Sequence, residues 1–412
     1  MPESLVPAAK AQRSGLGRIG QRVDRVVLAR VLPAGFFALL TGMFWIGERS
    51  DYHRLFYLLV AAPTLLALAL EPRRVLQLAN NGLSRTFMAF AAYTLISYLW
   101  SDVHHPSLLK YPFYIFILFC SVTLIALERP GTLARVVRLG VIGASLSALV
   151  SLFIFFQDGL ETRLPGYGAL YNPLLTSHVY GMFSAAAIAF LVSTSKARVA
   201  WSLALIPLLA LLLATGSRTP LIGIAAVLGW LVVNRHNRQV LVVALVVAAA
   251  AAALALLMPD DLFERGLSYR PELWQQAWSQ ISERIWFGHG HGHPIALPIE
   301  SLDMEFTDPH NMTLAVFFSG GLVGLALWLT MFAVALVYGW KNRADDFVLA
   351  VSAMIVFGFT ASMTEGGSFI SRPKEHWFLL WIPLALLAAG WSARSRAEAS
   401  AEHGAQQGPN RL

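Results

Sequence analysis

Four short segments of this chain set a charged residue beside a proline where a helical pattern is about to begin. They are Arg218-Thr219-Pro220, Arg270-Pro271, Asp308-Pro309-His310 and Arg372-Pro373. Proline is favoured at the first helical position, where its missing N–H would have had no partner. The free N–H groups and positive dipole of such a helix start attract an anion, and a neighbouring arginine adds a full charge. Brought together, Arg218, Arg270 and Arg372 would converge on an anion such as a phosphate. His310, read as lying in a helical first turn with Asp308 as the N-cap, would be held neutral by the dipole and fit to accept a proton. Asp308 pulls the other way. Secondary candidates are Lys374 beside Arg372, Arg163 in Glu161-Thr162-Arg163, Asn172 in Tyr171-Asn172-Pro173, and Asn311 next to the histidine.

The elements that must position these residues are membrane helices. Of 412 residues, 56% are hydrophobic and 13% charged, about half the charge fraction of a soluble protein. The apolar residues gather into twelve runs, most of them long enough to cross a hydrocarbon core of about 30 Å. The runs are 28–47, 54–70, 86–101, 108–127, 136–157, 178–194, 199–215, 219–233, 239–258, 312–339, 346–363 and 376–391. The expected fold class is therefore all-α, a polytopic bundle of about twelve spans. Residues 1–27 read as a basic N-terminus before a retained first helix, with no small-residue cleavage site. Spans one to nine occupy 28–258, a long loop 259–311, and the last three spans 312–391. A small polar tail, 392–412, is expected to be disordered. The single cysteine, Cys120, lies within the fourth run, so no intramolecular disulfide can form.

Charge sets the orientation. With the N-terminus in the cytoplasm and sides alternating, 21 of the 31 lysines and arginines fall inside, against 8 of the 24 acidic residues. Short loops rich in Lys and Arg stay on the cytoplasmic side. The basic balance thus reports membrane orientation and does not argue for nucleic acid. Both termini are then cytoplasmic, and Arg218, Arg270, His310 and Arg372 all fall on the outer face.

The loop 259–311 is long enough to expect a function of its own. Leu273, Trp274, Ala277, Trp278, Ile281 and Ile285 follow helical spacing between Pro271 and Trp286. They predict an amphipathic helix resting at the membrane interface and roofing a cavity between the spans. Gly288-His289-Gly290-His291-Gly292-His293 lacks the fixed i,i+4 spacing of a metal site, so its glycines are read as a tight turn and no metal is expected. Glu300, Asp303 and Glu305 read as a solvated face.

Taken in order, several motifs resemble the O-antigen ligase family. They are Thr215-Gly216-Ser217-Arg218-Thr219, Tyr269-Arg270-Pro271 with Trp274, Gly288 and Gly290, and Pro309-His310-Asn311 running into Gly320-Gly321-Leu322-Val323-Gly324-Leu325. The pattern covers roughly residues 165–335. The resemblance implies a bacterial inner-membrane glycosyltransferase with a periplasmic active site. Its donor would be a polysaccharide on undecaprenyl diphosphate and its acceptor a sugar hydroxyl of lipid A–core, and no cofactor or metal would be needed. It makes Arg218 and Arg270 the diphosphate grip and His310 the general base of an inverting transfer. Asn311 would orient the histidine or a substrate hydroxyl. Both substrates are lipids, so the protein must also meet membrane lipids along an open flank.

Two other readings remain at this point. An O-antigen polymerase would use the same carrier and much the same site. A flippase for lipid-linked sugars would need no base, and would place broken helices and ionisable groups near the bilayer midplane. The informative charges here lie at helix ends, and no internal repeat is visible.

Overall fold

The computed structural model describes residues 20–157, 159, 163–194, 197–235, 238–257, 269–299 and 302–406. Each of the twelve apolar runs is helical. We label the main helices α1 (Gly20–Phe44), α2 (Arg49–Leu70), α3 (Gly82–Ser97), α4 (Pro106–Glu128), α5 (Thr132–Gln157), α6 (Pro173–Ser193), α7 (Arg198–Ala214), α8 (Thr219–Arg235) and α9 (Arg238–Leu257). After a gap come α10 (Arg270–Glu283), α11 (Met312–Lys341), α12 (Asp346–Ser362), the short α13 (Glu375–Leu379) and α14 (Trp381–Gln406). Among the described residues, α1, α2, α4, α5, α6 and α11 are long and apolar enough to cross a membrane, and α7, α8 and α12 are shorter apolar helices.

The bundle is organised around α6, which is 89% buried and packs against α7, α8 and α12. Its small residues allow close approach, as membrane helix contacts require. A Cβ on Gly181 would fall 2.0 Å from the Phe357 ring of α12. On α5 the pattern is inverted relative to a soluble protein, since Leu139, Ile142, Leu146, Leu149 and Phe153 form an exposed apolar stripe. Such a face suits lipid. The first half of α14, Trp381 to Ala389, is fully buried beside α4.

Three expectations need correction. The tail is helical as far as Gln406, because α14 runs on past residue 392. The tenth run is not one continuous helix, since Gly321 adopts φ 60° and ψ −161° inside α11. The long loop fills that break. His289 and Gly290 N–H donate to the carbonyls of Phe318 and Ser319, while Leu322 and Val323 N–H donate to Ile285 and Trp286. Tyr93 of α3 donates to Gly320 O at 2.6 Å. Irregular backbone is tolerated at membrane depth only when protein satisfies it, and here the loop does so. A side chain at Gly321 would meet the Trp286 carbonyl at 2.4 Å. Finally, the loop contains a hairpin that hydropathy does not announce. Its strands are β1 (Leu297–Ile299) and β2 (Met304–Phe306), paired antiparallel.

The loop helix forms where it was expected. Leu273, Ala277 and Ile281 are buried against Phe317, Phe318 and Leu297. Trp278 and Trp286 are exposed, whereas Trp274 turns inward.

Candidate functional site

The segment joining α12 to α13 is where the separate parts meet. The Thr364 carbonyl accepts from Arg270 Nε at 2.9 Å, and its hydroxyl lies 3.1 Å from that of Thr219. The Glu365 carboxylate is 3% exposed. Its Oε1 pairs with Arg270 Nη2, and its Oε2 lies 3.5 Å from His310 Nδ1. Arg218 directly precedes Thr219, so the start of α8, the start of α10 and the approach to α11 share one neighbourhood. Arg163 braces the same place. Its Nε donates to Thr215 O at 2.6 Å and its Nη2 to Ser217 Oγ at 3.0 Å, which shapes the turn that presents Arg218.

His310 is not in the first turn of a helix. Asn311 is the N-cap of α11, its side chain accepting from Leu314 N at 3.1 Å, and Asp308 lies outside the helix. Asp308 instead accepts from His310 N at 2.7 Å and holds the histidine at φ 49°. The left-handed region is uncommon for a side-chain-bearing residue, though histidine enters it more readily than most. Trp274 Nε1 donates to Pro309 O at 3.0 Å and pins the segment from the loop helix. The expected electrostatics reverse accordingly. Glu365 raises the His310 pKa above its ordinary value, against an opposing effect of burial, with Asp308 raising it further and Arg270 lowering it. Two carboxylates therefore outweigh burial and the Arg270 charge, and His310 stands one residue before the helix cap.

The remaining candidates lie around this centre. Arg372 is exposed, close enough to act electrostatically on His53 and Tyr57 of α2, and α13 begins only at Glu375. Lys374 is mostly buried, its pKa lowered by that burial against the pull of Glu375 and Asp308. Glu375, 1% exposed, pairs with Arg49, which also stacks over Tyr171 at 5.0 Å. Asn172 caps α6, accepting from Leu174 N at 2.9 Å. The histidine run is a compact turn with Gly288, Gly290 and Gly292 all at positive φ. His289 binds the Gln280 carbonyl at 2.8 Å and stacks on Phe318, while burial lowers the His291 pKa to about 4. Among the described residues no group of three His, Cys, Asp or Glu could hold a metal. A cavity of about 190 Å³ opens beside Asp308 and Pro309, walled by His291, Phe318, Ser319 and Phe369.

The arrangement offers arginines for an anion and a carboxylate-backed imidazole for a proton. Over 379 residues the chain is 46% identical to a Pseudomonas aeruginosa protein described as an O-antigen ligase, covering 91% of this chain and 94% of that relative. This chain belongs to the O-antigen ligase family. The family's own match runs over residues 203–329, which hold Arg218, Arg270 and His310. As a member of the O-antigen ligase family, the chain is a glycosyltransferase of lipopolysaccharide O-antigen ligation.

The sequence reading missed Glu365, which lies outside that match. Its signal was available in Thr364-Glu365-Gly366-Gly367, an acidic residue directly after an apolar run. An ionisable group at such a depth is costly enough to suggest a function. Thr219 and Trp274 stand in sequence motifs, but their contacts with Thr364 and Pro309 carry no signal until the fold brings them together.

Proposed function

We propose that this enzyme moves a polysaccharide from undecaprenyl diphosphate to a sugar hydroxyl of lipid A–core, in one inverting and metal-independent step. Arg218 and Arg270 grip the diphosphate. His310 removes the proton from the acceptor hydroxyl as its oxygen attacks the anomeric carbon. The bond from that carbon to the diphosphate oxygen breaks, and its electron pair leaves on the diphosphate. Fixed cations at the leaving oxygen stabilise the charge that develops there, more strongly in a water-poor site than in water. The single observation that carries this reading is the meeting of Arg270 and His310 on Glu365. It sets the anion grip and the base side by side. With Nδ1 turned to Glu365, Nε2 is the nitrogen left to accept a proton. Arg372 and Lys374 belong, in this reading, to the wall of the site nearest α2, where a long anionic donor would pass.

The site faces the periplasm across the bacterial inner membrane, and both termini are cytoplasmic. The charge asymmetry of the short loops supports this orientation. Cys120 is buried, and in a Cys120→Ser background a cysteine at Ser282 should react with an impermeant thiol reagent added from outside. One at Asn342 should not. Labelling of the opposite sense would reverse the orientation. The chemistry is tested by transfer in vitro from a defined lipid-linked glycan to purified lipid A–core, with and without a chelator. Product on lipid A–core, unaffected by the chelator, is expected. Longer chains left on the carrier would mean a polymerase.

A further inference from the structure

Glu365 touches both halves of the proposed chemistry at once. One oxygen holds Arg270 and the other faces His310 Nδ1 at 3.5 Å. A carboxylate shared between two bases gives each less than its full charge. A diphosphate offers more negative charge and more acceptor oxygens, so it competes for the Nη2 edge of Arg270. The guanidinium could turn without leaving, because its Nε is anchored on the Thr364 carbonyl at 2.9 Å.

The backbones on all three sides are pinned. Thr364 is tied to Thr219, and a Cβ on Gly366 would fall 2.9 Å from the His376 ring. His310 is fixed by Asp308, and Pro309 by Trp274. Only the side chains are left to choose partners.

We propose that Glu365 is a positioning residue that couples donor binding to base strength: the donor diphosphate takes Arg270 from it, and the released carboxylate then orients and charges His310 alone. This inference rests on the transfer reaction proposed above and names the regulation of that same site. The groups facing His310 are Glu365 from the α12–α13 segment, Asp308 from its own segment and Arg270 from α10. Beyond them, His178 of α6 lies near Glu365, and Lys374 near Asp308. Losing Arg270 from Glu365 removes the opposing charge, so the ring becomes the stronger base only when there is a sugar to transfer. The acceptor proton moves to Nε2, the imidazolium is neutralised by Glu365, and the proton then passes to solvent as product leaves.

The test uses the full chain in lipid. In the wild type, the acid limb of kcat, reporting the donor-bound enzyme, should lie at higher pH than that of kcat/KM, reporting the free enzyme. In Glu365→Gln that gap should close, kcat should fall about 10–100-fold, and undecaprenyl diphosphate itself should bind at least as tightly, since the carboxylate charge it competes with at Arg270 is gone. Glu365→Asp should restore part of both the rate and the gap, and stands in should the glutamine variant fail to fold. Coincident limbs in the wild type, a gap that persists in Glu365→Gln, or binding lost as severely as in Arg270→Ala would each overturn the coupling. Failure of the underlying reading looks different. His310→Ala would then keep both transfer and its acid limb, whatever Glu365 does to donor binding.

Discussion

Two arginine–carboxylate pairs lie at opposite ends of this bundle, and they are built for opposite purposes. Asp24 in α1 meets Arg74 beyond α2 through both terminal guanidinium nitrogens, each at 2.6 Å, with the Arg74 side chain 12% and that of Asp24 18% exposed. Glu71 adds a further contact at 2.9 Å. That fork uses both Asp24 oxygens, and Arg74 Nη1 donates to the Ala67 carbonyl as well, at 3.2 Å. At the other end Glu365 is more deeply buried but gives Arg270 a single oxygen and turns the second to His310. A closed bidentate pair locks two helices together. A buried carboxylate divided between a permanent cation and a titratable one leaves each able to change partner. Burial therefore does not separate the two pairs, whereas the division of the Glu365 carboxylate between two partners does.

That contrast can be broken most directly at the histidine. His310→Ala should cost about 10²–10⁴-fold in turnover while the arginines keep the donor bound. Binding of undecaprenyl diphosphate glycan and transfer, measured on the same preparation, separate the two effects. Arg270→Ala and Arg218→Ala should instead lose binding along with transfer. Their lysine variants should recover only part, because lysine lacks the bidentate fork. A stable, fully active Arg218→Ala enzyme would reduce that arginine to a lipid anchor.

The pH profile sharpens the comparison further. The His310 pKa is raised above 6.5, chiefly by Glu365, so the protonated, inactive ring persists to higher pH than in a free imidazole. The acid limb should therefore lie at higher pH than that of a free imidazole. An acid limb below 6.5 would show that the carboxylates do not govern this base. In His310→Ala the limb should vanish.

Smaller effects distinguish capping from chemistry. Asn311→Ala and Asn172→Ala each remove a helix cap, worth about 0.5–2 kcal/mol. Only the first should also slow transfer, because it loosens the residue next to His310. Equal activity losses would place Asn172 back among the substrate contacts. Smallest of all in its effect on transfer, Asp24→Asn should leave transfer unchanged while costing about 1–3 kcal/mol of stability, because it breaks a mostly buried charged pair. A loss of transfer comparable to that of Glu365→Gln would abolish the distinction between the two ends.

Much of this was legible in one dimension. Hydropathy located every apolar helix, since the cost of unpaired backbone in lipid forces long apolar runs to be helical. Arginines beside proline-opened starts marked Arg218 and Arg270, and the Pro309-His310-Asn311 motif marked the histidine. The amphipathic stripe located α10, although it did not show that Trp274 would reach back to Pro309. Gly320-Gly321 could be read in the sequence, but the break at Gly321 could not, because a membrane helix can open there only if other backbone fills it. The backbone that does so comes from residues 285–290, some thirty positions earlier.

The sequence by itself thus determined which apolar segments are helical and which residue types could hold an anion or take a proton. These follow from local composition and from what a bilayer permits. Only the tertiary structure decided that His310 stands outside its helix on a left-handed backbone, and that its partner is Glu365 rather than a dipole. That choice depends on Glu365, Arg270 and His310 meeting within ion-pair range from three separate segments. Electrostatic interaction between them falls off with distance in space, which spacing along the chain does not record.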